Sequence, residues 1–296
     1  MIVRQLSVVI ATLGGPTLFS TILHLNASNV VPFEIIICIP NSLYGRVVDL
    51  RNIANVRIVT TGFTGQVRQR SFGLKLARGH YVMQMDDDIL VEPNTIGRLI
   101  DALETLGCGN AVAPIFRRVG DHSLITLPTL GIRGLCKDVF YTFVCGAKFG
   151  RSRFGTISSS GIGFGVAPTS QSDGMILSEW LPGGAVLVRR SDLITHDYYP
   201  FDGRAYSEDI IHSIEWSKKG VRLWTDIYSF VLIHSSAQSQ SLGALFQRYR
   251  VYCFIAEQIG GNKLRTAVWL VINIFRVLIA YIFSLTCVRG KRERSQ

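Results

Sequence analysis

The chain has 296 residues, which is enough for one large α/β domain or two small ones. Hydrophobic residues make up 48% of it and charged residues only 18%, so the composition excludes a wholly disordered protein. The net charge of +10 favours an anionic partner such as a nucleotide or a phospholipid headgroup. Nucleic acid is not expected as a partner, because Lys and Arg form a dense block only at the C-terminal end.

The scattered cysteines fit a reducing compartment, and the N-terminus is not expected to be a signal peptide. The six cysteines are scattered, with no CxxC pair and no Cys/His cluster of the kind that forms a structural zinc site. The apolar run Leu6–Leu13 leads directly into a glycine turn and has no basic region before it, as in a first strand rather than a signal peptide.

Apolar runs and helical segments alternate through the N-terminal third. Continuous apolar strands separated by helices are typical of a mostly parallel sheet covered on both faces. The predicted strands are Leu6–Thr12, Phe33–Ile39, Val56–Val59 and His80–Met85, and the predicted helices are Thr17–Leu25, Gln66–Arg78 and Pro93–Gly107.

Three adjacent carboxylates, Asp86, Asp87 and Asp88, follow the last of these strands. In an extended chain alternate side chains share a face, so we expect Asp86 and Asp88 to point together and Asp87 to point away. Two carboxylates on one side form a hard oxygen site suited to Mg²⁺ or Mn²⁺, and such ions usually also hold substrate phosphates. The alternative for an isolated triplet is a solvated acidic turn.

Polar residues also end two other predicted strands. Thr12 closes the first strand and Asn41 follows the second. Ligands of parallel α/β sheets bind beyond the carboxyl ends of the strands. Thr12, Asn41 and the Asp triplet are therefore expected at one ligand site.

The middle of the chain is less regular. The Ser- and Gly-rich segment Ser152–Ser172 indicates a loop, either mobile over a site or a plain surface linker. Its G-x-G-x-G pattern leaves a phosphate-binding loop as a weaker alternative, because no helix pattern follows it. Gly183 and Gly184 precede a predicted strand, Ala185–Val188, that ends at Arg189-Arg190. Paired glycines at a strand start allow close approach of backbone or ligand, although a simple turn is the alternative.

A second acidic pair, Glu208-Asp209, begins another predicted helix that Gly220 ends. Taken alone, Ser207 as the N-cap and two acids in the first turn are ordinary capping chemistry. Two more predicted strands follow, Arg222–Trp224 and Phe230–Ile233, and the second delivers His234, which is a competent ligand if a metal lies nearby.

The C-terminal stretch Thr266–Cys287 is apolar and long enough to span a bilayer as a helix, and a basic tail follows it. Arg276 lies near its midpoint, where a charge opposes insertion. We favour a helix lying in the cytoplasmic leaflet of the cell membrane, with a true span and a core or oligomer-interface helix as alternatives.

Taken in succession, several motifs resemble an inverting family-2 glycosyltransferase of the GT-A fold, over roughly residues 5–235. The segment Gln69–Tyr81 is similar to the family's "ARN-G-AxG-Y" helix, which leads into its D-x-D strand. The other motifs are Ser7–Thr12, Asp86–Asp88, Gly183-Gly184 through Arg189-Arg190, and Glu208-Asp209.

The resemblance implies a GT-A domain over residues 1–240, with a donor half near 1–115 and an acceptor half near 116–240. Residues 241–296 would form a helical, membrane-associating segment. The donor would be a nucleoside-diphosphate sugar of UDP, GDP or dTDP type, and the acceptor a glycan or a lipid-linked molecule. The resemblance further implies a metal-dependent transfer, with Mg²⁺ or Mn²⁺ as the ion.

The resemblance also assigns roles to single residues. Asp209 would be the general base and Glu208 would help to orient the acceptor. The metal ligands would be Asp88, Asp86 and His234. The donor side would include Thr12, Asn41, Arg70, Asp86 and Asp87, with Asp87 mainly structural. Arg68 is a further candidate, and the alternative for both Arg68 and Arg70 is a solvated helix face.

One departure weakens the usual case for uridine, since Pro40-Asn41-Ser42 stands where the family commonly has an acidic pair. Gln247–Arg250 is faintly similar to the Q-x-x-R-W motif of processive synthases, but the Trp is absent, so we expect single transfer. Two other functions stay open: a metal-dependent nucleotidyltransferase, which would want a basic glycine-rich loop, and a degenerate transferase acting as a membrane scaffold.

Overall fold

The structure is a computed structural model that describes residues 5–126, 129, 131–168, 174–234 and 241–292, with side chains up to residue 279 in the last range. These residues form two compact units. The first comprises Met1–Pro128, Phe154–Thr156 and Gly163–Ser235, and the second comprises Thr129–Arg153, Ile157–Ile162 and Ser236–Gln296. The second unit thus contains part of the expected acceptor half together with the C-terminal segment.

The first unit is built on one sheet flanked by helices. Its strands are β1 (Leu6–Ala11), β2 (Glu34–Pro40), β3 (Val56–Thr61), β4 (Tyr81–Met85), β5 (Ile89–Val91), β6 (Asn110–Arg118), β7 (Met175–Ser178), β8 (Ala185–Arg189) and β9 (Arg222–Ile233). Its helices are α1 (Leu18–Asn26), α2 (Gln66–Leu76), α3 (Thr95–Leu106) and α5 (Glu208–Lys218), whereas α4 belongs to the second unit.

The sheet has the order β3-β2-β1-β4-β8-β6-β9-β5, and β7 pairs with β9. The strands β3, β2, β1 and β4 are parallel, as the sequence predicted. The rest of the sheet departs from the expectation of mostly parallel strands: β6 and β9 pair parallel, but β8 inserts antiparallel between β4 and β6, and β5 and β7 pair antiparallel with β9. The sheet is therefore mixed.

Alternating residues of β1 and β2 face helices on opposite sides of the sheet. Val8 and Ile10 belong to the core that contains Leu18 and Ile22 of α1. On the other face a Cβ added to Gly73 of α2 would lie 2.6 Å from Val9 Cγ1, so only glycine lets α2 approach this closely. Coverage of both faces by helices is confirmed. Because β1 and β4 pair parallel, their carboxyl ends lie at the same edge of the sheet.

The two strands expected at Arg222–Trp224 and Phe230–Ile233 are one strand, β9. Its pairing with β6 shifts register between Pro114 and Ile115, which pair with Asp226 and Phe230 respectively. The extra residues of β9 form a bulge, and there Ser229 Oγ donates to the buried carboxylate of Asp226. The polar residues Asp226 and Ser229, which lie between the two expected strands, thus pair with each other inside one continuous strand.

The second unit is helical in its described part. It contains α4 (Gly131–Val139), α6 (Leu242–Gln258) and α7 (Lys263–Arg292). Helices α6 and α7 pack together, with the rings of Tyr252 and Trp269 in edge contact at 5.0 Å. The predicted apolar helix is confirmed as a helix, but within the described residues no helix is both long and apolar enough to cross a membrane.

Candidate active site

A cleft of about 980 Å³ opens at the carboxyl ends of β1 and β4. Four segments line it: the turn after β1 from Ala11 to Gly15, the start of α2 from Thr64 to Gln69, the Asp triplet, and the loop between Asp197 and Ala205. The volume is that of a site for a sizeable small molecule. The sequence placed two of these segments at this edge, namely the turn with Thr12 and the Asp triplet.

Asp86 is fixed from three directions. Its Oδ1 accepts hydrogen bonds from Arg70 Nη2 at 2.8 Å and from Gln66 Nε2 at 3.0 Å. Its backbone N–H donates to the carbonyl oxygen of Gly184 at 2.9 Å. These contacts hold the carboxylate at the cleft wall, where about a third of the side chain is exposed.

Asp87 faces the turn after β1, away from the contacts of Asp86. Thr12 Oγ1 donates to Asp87 Oδ2, and Thr21 Oγ1 donates to the Asp87 carbonyl at 3.0 Å. Gly14 N–H donates to Thr12 Oγ1 at 2.8 Å, so the hydroxyl joins the two loops. The expected divergence of Asp86 and Asp87 is therefore seen, but it arises in a turn and not in an extended chain.

Asp88 and His234 flank the last pair, Ile89 and Ile233, of the antiparallel ladder of β5 and β9, so both lie at the end of these strands. Burial raises the pKa of Asp88, and the negative charges of Asp86 and Asp87 raise it further. Crowded carboxylates partly withdrawn from water fit a divalent cation, which would relieve their repulsion. Among the described residues no three His, Cys, Asp or Glu side chains are already grouped as a metal site.

Glu208 is buried, and both of its carboxylate oxygens have partners. Oε1 accepts from Arg70 Nη1 at 2.5 Å, and Oε2 accepts from Tyr198 Oη at 2.7 Å. Burial opposes the charge of Arg70, but the carboxylates of Glu208 and Asp86 hold the pKa of Arg70 above its ordinary value. Arg70 thus stays charged and links the acidic strand end to the start of α5.

Asp209 is the one acid of this cluster whose ionisation is strongly opposed. Its side chain is partly buried, and Asp209 lies four residues after Ala205, the last cleft-lining residue of the preceding loop, without lining the cleft itself. Burial and the neighbouring charge of Glu208 raise the pKa of Asp209 to about 7. A carboxylate with such a pKa exchanges protons near neutral pH, as a general base must.

Ser207 does not act as the ordinary N-cap that the sequence suggested. Its backbone is left-handed, with φ 49° and ψ 31°, and among the described residues its hydroxyl caps no N–H of α5. A left-handed conformation is strained for a residue with a Cβ. This turn therefore directs Glu208 and Asp209 at the expense of a normal helix start.

The two glycines before β8 make room for the acids. A Cβ on Gly183 would lie 2.9 Å from Glu208 Oε1 and 3.2 Å from Asp209 Cβ, and one on Gly184 would lie 3.2 Å from Asp86 Oδ2. Close approach of backbone to neighbouring groups is thus confirmed as the reason for this pair. The glycines bring Asp86 and the Glu208-Asp209 pair around one point.

The remaining predicted donor residues lie in different surroundings. Asn41 is exposed at the first position of a 3₁₀ turn, Asn41–Arg46. Arg68 is exposed and lines the cleft with its guanidinium over the ring of Phe63 at 4.1 Å. Arg70, in contrast, is only 1% exposed, so the solvated alternative for this residue is wrong.

A family profile described as "Glycosyl transferase family 2" matches residues 7–156, just over half of the chain. The chain belongs to glycosyl transferase family 2. The matched residues include the Asp triplet and Arg70 and end before Gly183 and the Glu208-Asp209 pair. No curated protein matched the sequence.

Solved glycosyltransferase structures share the fold of this family-2 chain. A structure of GalNAc-T7 with UDP, GalNAc and Mn²⁺ has a TM-score of 0.57 at 16% identity over 79% of this chain and 44% of its own. A structure of S. aureus TarS has a TM-score of 0.54 at 13% identity over 88% of this chain and 41% of its own. The chain thus spans less than half the length of these two proteins.

Two parts of this family-2 site were not found from the sequence. Tyr198 and the cleft-lining loop that follows it precede the acidic pair, and their only sequence signal is a cluster of aromatic residues. His212 is buried and stacked between Tyr198 and Trp216, and neither ring nitrogen has a hydrogen-bond partner among the described residues. Burial and the charge of Arg70 lower the pKa of His212 well below its usual value, so the ring is neutral.

Proposed function

We propose that the protein is a metal-dependent inverting glycosyltransferase that moves a sugar, of hexosyl type, from a nucleoside-diphosphate sugar to an acceptor hydroxyl. The observation that carries this proposal is that Arg70 and the Gly183-Gly184 pair hold the Glu208-Asp209 pair next to Asp86, which lines the cleft at the sheet's carboxyl edge. These acids come from separate parts of the sequence. Asp86 belongs to a strand end that suits a cation, and Asp209 is a carboxylate that suits a general base.

The donor occupies the cleft in this proposal, with its diphosphate near Asp86 and Asp88. Asp88, Asp86 and His234 would hold Mg²⁺ or Mn²⁺, which are commonly bound by one or two carboxylates together with substrate phosphates. When bound, such an ion supplies charge neutralisation for the departing nucleoside diphosphate. Thr12 and Asp87 keep the turn after β1 in place beside the donor, and Arg68 lines the cleft and is available to the nucleoside. Asn41 does not line the cleft, but it begins the 3₁₀ turn whose Leu43 does, so its proposed contact with the base needs that turn to lie against the donor.

Asp209 takes the proton from the acceptor hydroxyl as that oxygen attacks the anomeric carbon from the face opposite the leaving group. A pKa near 7 supports this role, because the ionised form is present at neutral pH and is basic enough to accept a proton. Glu208 contributes by position, since Arg70 and Tyr198 occupy its oxygens and fix the first turn of α5.

The acceptor proposed here is a glycan or a lipid-linked molecule used in cell-surface polysaccharide or glycolipid synthesis. The apolar helix α7 and the basic charge of the chain support a location at the cytoplasmic face of the cell membrane. A protein held there would meet an acceptor that is anchored in the bilayer.

A donor screen tests the proposal. We expect one nucleoside-diphosphate sugar of the UDP, GDP and dTDP series to bind in the presence of Mn²⁺ and to be slowly hydrolysed. Asp88→Ala should lose the metal-dependent part of binding, whereas Asp49→Ala, an exposed acid outside the cleft, should bind as the wild type does. Binding of no member of the panel would exclude the transferase and favour a degenerate scaffold.

The same screen separates nucleotidyl transfer. A nucleotidyltransferase would bind a nucleoside triphosphate more tightly than any nucleotide sugar and would release pyrophosphate. We expect no pyrophosphate, because the Leu13-Gly14-Gly15-Pro16 turn carries no Lys or Arg of its own for a triphosphate.

A further inference from the structure

The second unit has two exposed apolar stripes that its own packing leaves uncovered. The first runs along α4 and the π-helical turn Phe140–Val144 that continues it. The side chains of Ile132, Leu135, Val139 and Phe143 recur at helical spacing on one face, and Ile132 and Phe143 are 83% and 73% exposed. Such side chains normally face a protein core or a partner.

The second stripe lies on α7. It repeats at every third or fourth residue, which places its members on one face of the helix. Leu264 at its beginning is 72% exposed and Phe275 is 59% exposed. Its described members are Leu264, Val268, Val271, Phe275, Leu278 and Ile279.

The two stripes meet at one point. Arg265 Nη1 donates to the carbonyl oxygen of Phe143 at 2.6 Å, which fixes the start of α7 to the end of the first stripe. Leu264 thus lies at the end of α7 that is held to the first stripe, although 121 positions separate it from Phe143 in sequence. The buried hydroxyl of Thr266 donates to the carbonyl oxygen of Ser160 at 3.1 Å and anchors the same turn.

The charge of the chain is concentrated in this unit. Its three segments hold 14 Lys and Arg residues against three Asp and Glu residues, a net charge of +11, whereas the whole chain carries +10. The first unit is therefore close to neutral. Of the three acids, Asp138 is paired with Arg153 and Glu257 with Lys263, so the excess charge of the unit that carries the apolar stripes is positive.

We propose that the stripes on α4 and α7 together form a docking surface for a bilayer of anionic phospholipids, with α4 as a membrane contact in addition to the C-terminal helix. Apolar side chains enter the acyl boundary while the surrounding Lys and Arg residues bind the headgroups. A second protein copy explains the apolar stripes less well, because two surfaces of net positive charge repel each other.

The test is flotation of the full-length protein with vesicles of phosphatidylglycerol and phosphatidylcholine in equal parts, compared with pure phosphatidylcholine. We expect binding to the anionic vesicles and a marked loss of binding at high salt. The Ile132→Glu/Leu135→Glu and Val268→Glu/Phe275→Glu double variants should each lower the partition coefficient at least about tenfold. These side chains are exposed, so their replacement should leave the fold intact.

The matched control is Phe19→Glu/Leu23→Glu, which changes two exposed apolar residues one turn apart on α1 of the first unit. This control should bind vesicles as the wild type does. Wild-type binding by the α4 variant would overturn the role of α4, and a dimer in solution without vesicle binding would overturn the whole proposal. Donor binding is measured separately, so this test and that of the transferase succeed or fail independently.

Discussion

Arg70 Nη1 lies 2.5 Å from Glu208 Oε1, and both side chains are buried. The pair joins the middle of α2 to the first residue of α5, two helices that are 138 positions apart at these residues. The other terminal nitrogen of Arg70 binds Asp86, so one guanidinium sets the separation of the two acidic motifs. The geometry of the candidate site therefore depends on a cation that does not itself line the cleft.

Arg70→Ala should strongly destabilise the protein. The substitution leaves the Glu208 carboxylate buried with only Tyr198 as a partner, and breaking a buried pair in this way costs about 3–5 kcal/mol. Chemical denaturation measures the change in the free energy of unfolding. The control is Lys218→Ala, which removes an exposed ion pair with Glu215 and should cost less than about 1 kcal/mol. Equal losses in the two variants would show that the Arg70 pair contributes no more than a surface contact.

The sequence predicted the N-terminal half of the fold well because its signal there is local. The strands β1, β2 and β4 are largely apolar runs that end in turns, and all their residues except Ala11 are buried. The Asp triplet could be placed at the sheet edge for the same reason. Parallel order then follows from the intervening helices.

The second half could not be predicted because its strands are defined by pairing. Strand β6 has Pro114 in its interior and polar residues at its end, so its pattern resembles no regular strand. It lies between β8 and β9, and the bulge opposite Pro114 makes the proline acceptable. The link from Arg70 to Glu208 was missed for a similar reason. An Arg on a solvated helix face and an Arg in a buried ion pair can have the same neighbours in the sequence.

Asp209→Asn should abolish transfer while donor affinity stays within about threefold of the wild type. The amide cannot accept the acceptor's proton, and loss of general base catalysis costs about 10²–10⁴ in rate. Donor binding by calorimetry and transfer by product formation are the two measurements. Glu208→Gln serves as the comparison and should lose stability as well as activity, because Arg70 would keep only Asp86 as a charged partner. Full activity of Asp209→Asn would move the base elsewhere.

The rate of transfer should rise with pH and level off above about 7. The reason is that Asp209 must be ionised to act as a base, and burial together with Glu208 raises its pKa to about 7. Initial rates measured from pH 5 to pH 9 at saturating donor show this rise and the plateau above it. A plateau that already begins near pH 5 would mean that Asp209 ionises normally or takes no proton.

The same raised pKa predicts an effect on stability. Protonated Asp209 stabilises the folded state relative to an ordinary Asp, so its contribution is complete below about pH 4 and is lost as the pH rises through about 7. Asp209→Asn carries no such proton. We expect the variant to gain stability relative to the wild type between pH 4 and pH 8, by at least about 1 kcal/mol. Denaturation curves of both proteins at pH 4 and pH 8 measure this change. The same difference in the free energy of unfolding at the two pH values would contradict the prediction.

Gly183→Ala should impair transfer strongly, although the substitution adds only one methyl group. The added Cβ would lie 2.9 Å from Glu208 Oε1, and that oxygen cannot retreat without losing Arg70. The change therefore displaces the first turn of α5 and Asp209 with it, so we expect at least about a tenfold loss of kcat, because small misplacements at a reacting centre are costly. The control is Gly243→Ala, where an added Cβ meets no described atom within 4 Å and a helical alanine is favourable. A Gly183→Ala enzyme as active as this control would show that Glu208 tolerates displacement and does not hold the base in position.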